Sequence, residues 1–158
     1  MSADNEIRVV PSILDRLLDQ DPRSHRDVPS SRVESIREFR RAVQRDLDDL
    51  LNSRNAFADL LPEFAEAGQS VLTYGLPDLS AYNLSDGRDQ NRVRQIMEAV
   101  IRTFEPRLKN VVVTVLAPGL VDRVVRFHVE ARLVMEPSPQ TIGFDIQMPV
   151  DSRTCEVK

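Results

Sequence analysis

The stretch Phe104, Glu105, Pro106, Arg107 divides the chain into two kinds of periodicity, and no other feature constrains the fold as much. Upstream, Val93, Ile96, Met97, Val100, Ile101 and Phe104 recur at spacings of three and four, which places one apolar stripe along a helix. Downstream the spacing becomes two, the period of a strand. Pro106 accounts for the change: its ring clashes with the preceding turn and pushes Glu105 out of helical dihedrals, so the helix is expected to end at Phe104. Residues two apart in an extended backbone point the same way. Glu105 and Arg107 are therefore expected to stand side by side, a carboxylate beside a guanidinium.

Two further helical segments precede this one. Pro11 suits the first turn of a short helix with Ile13, Leu14, Leu17 and Leu18 on one face, and the polar stretch from Asp19 to Ser30 reads as a linker. That short helix either folds back on the core or docks in a groove on a partner. The next helix opens with Ser31 and Glu34 at capping-box spacing and is expected to run to Asn52. Val33, Ile36, Phe39, Val43, Leu47, Leu50 and Leu51 form its buried side. Arg37, Arg41 and Arg45 mark its other face, with Glu34, Glu38 and Asp49 in reach for pairing. This is either a self-neutralised, solvated face or a surface for an acidic partner. Between Asn52 and Asp86 the periodicity breaks down: Leu61 to Ala67 suits one or two helical turns, and Val71 to Leu79 suits a buried corner turned at Gly75 and Pro77. The last helix is expected to be capped near Ser85 or Asp86.

Three strand candidates follow. Val111 to Leu116 is apolar on both faces, as in a strand covered on both sides, either central in the sheet or covered by a partner. Val125, Phe127, Val129, Ala131, Leu133 and Met135 alternate with Arg126, His128, Glu130 and Arg132, and Ile142, Phe144, Ile146 and Met148 alternate with Gly143, Asp145 and Gln147. The fold class is α+β: N-terminal helices, then a small antiparallel sheet. Residues 1–30 form a short helix and linker, 31–150 the main domain, and 151–158 a polar tail expected to fray.

Composition narrows the chemistry. A chain of 158 residues fits one domain, and 41% hydrophobic with 29% charged residues is ordinary for a water-soluble protein. No apolar run approaches a bilayer span and residues 1–6 contain no signal-peptide core, so a cytoplasmic protein without membrane insertion is expected. The single Cys155 agrees with a reducing compartment. A net charge of −4 argues against a nucleic-acid partner. His25 and His128 are far apart, Asp19 and Asp21 lack the glycine and closing glutamate of a calcium loop, and no glycine-rich phosphate loop or serine-nucleophile motif occurs. No metal, cofactor or small-molecule substrate is expected. Glu105 is the one candidate acid for glycoside hydrolysis, with Asp122, Glu130 or Asp145 as second carboxylate, but a neighbouring arginine favours the ionised form and spoils a general acid.

The pieces resemble a known family when taken together. Ile101 to Leu108 followed by a valine-rich strand, with Ser70 to Leu79 upstream, is similar to the lysozyme-like baseplate wedge family of contractile injection machines. Pro11 to Leu17 and Leu50 to Arg54 look like its bacterial type VI secretion branch. The resemblance implies a structural role, with other baseplate wedge subunits and contractile sheath proteins as partners, at the inner face of the bacterial inner membrane. It also implies a sheet resembling the interlocking sheath domain, on which the first sheath ring is built. Glu105, Pro106 and Arg107 are its hallmark and are expected to bind partners, as are Ile13, Leu14 and Leu17 of the first helix. No reliable lysozyme activity is implied; the alternative is a peptidoglycan-cleaving hydrolase. Open sheet edges, over Val121 to Met135 and Thr141 to Met148, would accept strands from a neighbouring chain.

Overall fold

The computed structural model describes residues 32–55, 57, 67–116, 123–134, 139–152 and 154–158. Helix α1 spans Arg32–Asn52 and helix α2 Gly87–Phe104, followed by strands β1 (Leu108–Leu116), β2 (Val124–Leu133), β3 (Gln140–Pro149) and β4 (Glu156–Val157). The strands form one antiparallel meander in the order β1-β2-β3-β4. The α+β expectation holds.

Helix α2 starts and stops where its residues dictate. Asp86 caps α2 by accepting a hydrogen bond from the Arg88 amide at 2.8 Å, which satisfies one of the free donors of the first turn. The helix ends at Phe104, with the Glu105 amide donating to Ile101 O at 2.9 Å, as Pro106 requires. Val93, Met97 and Ile101 of α2 and Phe39, Val43, Leu47, Leu50 and Leu51 of α1 are buried. They join Val125, Phe127, Val129 and Leu133 of β2 and Phe144, Ile146 and Met148 of β3 in a single core. Each fully buried side chain of this size stabilises the fold by roughly 1.5–3 kcal/mol.

The β2–β3 register runs unbroken from Val124 opposite Pro149 to Leu133 opposite Gln140. The β1–β2 register shifts between Lys109 and Val112, where Asn110 takes a positive φ of 53°, a conformation asparagine tolerates better than most residues. Gly75, at φ 104°, turns the chain beneath the end of α1. There the Leu76 amide donates to Ser53 O at 2.9 Å and the Asn55 amide to Leu76 O at 2.8 Å.

Three expectations are corrected. β1 is not central, the first of its two expected places, but an edge strand, and its outer face leaves Val112 and Leu116 52% and 39% exposed. The end of the chain is ordered into the sheet, not frayed: β4 pairs with β3, Cys155 and Val157 are buried, and Lys158 exchanges hydrogen bonds with Asp145. The corner at Val71 to Leu79 buries Leu76 and Leu79 but leaves Val71 and Leu72 exposed on a 3-10 turn, Val71–Thr73. Ile13, Leu14 and Leu17, the Ser31 cap and residues 61–66 lie outside the described residues. Among the described residues no helix is long and apolar enough to cross a membrane.

Candidate functional site

Glu105, Pro106 and Arg107 form a turn rather than an extended segment, closed by the Leu108 amide donating to Glu105 O at 3.1 Å. The expected pairing still occurs. Arg107 Nε donates to Glu105 Oε1 at 2.6 Å and Nη2 to Oε2, while the Arg107 amide reaches Oε1 at 3.2 Å. Glu105 is buried and Pro106 exposed.

The guanidinium has a second acid. Arg107 Nη2 donates to Asp46 Oδ2 at 2.6 Å, and Asp46 Oδ1 accepts from Arg45 at 2.8 Å. The Phe39 ring lies 5.7 Å from the guanidinium carbon, adding a cation–π contact. The Glu105 hydrogen bond, helped by Asp46 and opposed by burial, raises the arginine pKa further still. Asp46 was not singled out by the sequence, although a signal exists: it lies seven residues after Phe39 and three after Val43, an acid on the margin of an apolar stripe.

Asp46, Leu50, Tyr74, Phe104, Glu105, Pro106 and Arg107 line a cleft of about 390 Å³. Tyr74 meets Phe104 edge to face, centroids 5.4 Å apart. Burial first, then the charges of Asp49, Asp46 and Glu105, raise the Tyr74 pKa and keep its hydroxyl protonated. Arg107 Nη1 is buried and meets no acceptor among the described residues. The two carboxylates of this cleft are bridged by one guanidinium, which occupies the oxygens a general acid or nucleophile needs free. Asp122 lies outside the described residues; Glu130 and Asp145 stand exposed on the sheet, Asp145 bonded to His128 Nδ1 at 2.6 Å. Among the described residues no group of three or more His, Cys, Asp or Glu is placed to hold a metal.

The sheet edges form a second candidate surface, and they lie elsewhere than expected: β2 and β3, the strands expected to offer them, stand inside the order, β2 between β1 and β3 and β3 between β2 and β4, so the terminal strands are β1 and β4. Along β1, Arg102 Nε and Nη2 donate to Val111 O at 3.2 and 2.7 Å, and Arg94 Nη1 to Val113 O at 3.3 Å. Glu98 accepts from the Val113 amide at 3.2 Å and pairs with both arginines. Along β4, Gln44 donates to Val157 O at 2.9 Å and Asp48 accepts from the Val157 amide at 3.2 Å. Asn52 bonds both backbone groups of Cys155 at 2.9 Å. Each helix thus sets three polar side chains, at i, i+4 and i+8, against one edge in place of a strand.

Fold and site together define a two-layer domain with a charge lock at the helix-to-sheet junction and edges guarded by side chains. Residues 37–138 match the family model described as baseplate wedge protein gp25, and the chain belongs to that family. A chain of a solved structure described as the baseplate complex from the type VI secretion system shares the fold, with a TM-score of 0.53 at 20% identity. That likeness covers 73% of this chain and 97% of the other. No curated protein matches the sequence.

Proposed function

We propose that the chain works as the wedge subunit called TssE in a type VI secretion baseplate, linking the baseplate to the contractile sheath and templating the first sheath ring by strand pairing. The family match across residues 37–138 carries this reading. The likeness to a type VI baseplate chain supports the branch. In this reading the protein is not an enzyme, and it acts in the cytoplasm, where the baseplate meets the inner membrane.

Glu105, Pro106 and Arg107 serve two purposes here. The charged pair fixes the junction from within, and Pro106 with the cleft beside it faces wedge partners. The cleft beside Pro106, lined by Leu50, Tyr74 and Phe104, supports a partner contact. Ile13, Leu14 and Leu17 supply an additional docking helix for a wedge subunit.

The test is sheath assembly in cells. A strain lacking the chain should form no fluorescent sheaths, and the full-length chain should restore them. Normal sheaths without it would overturn the reading. So would purified protein that clears peptidoglycan and loses that ability on Glu105→Gln.

A further inference from the structure

We infer that β1, not β4, is the edge at which the sheet takes a strand from a partner chain, and that this strand sets apolar side chains outward and an acid toward α2. The inference rests on the strand-pairing reading above.

The two terminal strands differ in what holds them shut, and the rim of β3 ahead of β4 is a short stretch, Gln140 to Phe144, where Arg40 Nη2 donates to Gly143 O at 3.1 Å. On β4 the guards are the shorter side chains Gln44, Asp48 and Asn52, and Asn52 alone bonds both the amide and the carbonyl of Cys155. β4 is also only two residues long, too short to seat a strand, whereas β1 runs for nine. On β1 the guards are long side chains partly in water, with Arg94 24% and Arg102 56% exposed. Rotation of these side chains frees Val111 O and both backbone groups of Val113 without moving the backbone. In the free chain the same guards keep β1 from pairing with a second copy.

The surroundings of β1 specify the occupant. Successive side chains of an added strand point to opposite faces. On the outer face they meet Val112 and Leu116, two of the exposed large hydrophobic residues of the domain. On the helix side they meet Arg94 and Arg102, two guanidinium groups that share the single carboxylate of Glu98, so one positive charge is left to favour a carboxylate on the incoming strand. Apolar residues facing out and an acid facing in complement both sides.

The probe is purified sheath protein of the same secretion system, mixed with the full chain and followed by binding and hydrogen exchange. Exchange should slow in residues 108–116 on binding. Val112→Glu with Leu116→Glu alters only outward-facing side chains and should weaken binding about tenfold or more. Thr141→Glu with Lys158→Glu, on the β3–β4 side, should leave it unchanged. Arg102→Glu should also weaken binding; tighter binding would overturn the acidic assignment. Slowing confined to residues 140–158, or equal loss in both double variants, would overturn β1 as the docking edge while strand pairing stood. A complex with no slowing at either edge, or no complex at all, would overturn strand pairing together with this inference.

Discussion

Asp46 and Arg107 are 61 positions apart in the chain, yet Arg107 Nη2 lies 2.6 Å from Asp46 Oδ2. The contact ties the middle of α1 to the turn that launches the sheet, and it passes through a guanidinium already committed to buried Glu105. The tripeptide Glu105, Pro106, Arg107 is thereby part of the domain's own architecture.

Arg107→Ala is expected to destabilise the domain by about 2–4 kcal/mol, because it leaves the Glu105 carboxylate buried without its partner. Arg107→Lys should recover part of this, since it restores the charge but not the fork that serves two acids. Urea unfolding measures both. An Arg107→Ala domain as stable as the parent would show that the lock carries no weight.

Pro106 is exposed and outside the ion pairs, so it separates stability from assembly. Pro106→Asp is expected to keep the melting temperature within a few degrees of the parent, as surface changes usually do, while weakening co-purification with wedge subunits. Undiminished co-purification would remove this surface from the partner contact.

Gly75→Ala should cost at least about 2 kcal/mol. A Cβ there would stand 2.5 Å from Ser53 O, and the φ of 104° is one that residues with a side chain rarely adopt. A drop in melting temperature is the readout; an unchanged value would mean that the turn relaxes freely.

Asn52→Ala removes the clamp on Cys155 and the bond to Asp48 O, at a cost of about 2–3 kcal/mol. Amide exchange at Asp145 and Lys158, which bond each other across β3 and the chain end, should accelerate more than exchange in β2. Equal acceleration throughout would indicate global destabilisation rather than release of one edge.

Burial pushes the Cys155 thiol up from 9.0 to about 12, against the smaller lowering effect of Arg54. The unfolded chain loses this proton near pH 9, whereas the folded chain holds it, so the unfolded state binds fewer protons in between and stability falls as pH rises. The slope from this group reaches about 1.4 kcal/mol per pH unit between pH ~9 and ~12. Cys155→Ala should lack that component in urea titrations taken across the range, and the native thiol should resist alkylation at neutral pH.

Local patterns were legible. Periods of 3.6 and 2 located both described helices and the three long strands, Pro106 marked the switch, and the cap was narrowed to Ser85 or Asp86, because each depends on neighbours within a turn or two of chain. The Glu105–Arg107 pair was equally readable, being two residues apart. The short β4 was not: two residues carry no period, and their place depends on Gln44, Asp48 and Asn52, more than a hundred positions upstream. Nor was the fate of β1, since an apolar strand reads the same whether a sheet neighbour or a future partner covers it.

By itself the sequence determined the order of elements, their faces and the pair at the helix stop, all set by backbone dihedrals and side-chain period. Tertiary structure alone decided that Asp46 completes the lock and that arginines from α2 and amides from α1 close the two sheet edges. Those contacts join groups far apart in the chain, and only the packing of helices under one face of the sheet brings them within hydrogen-bond reach.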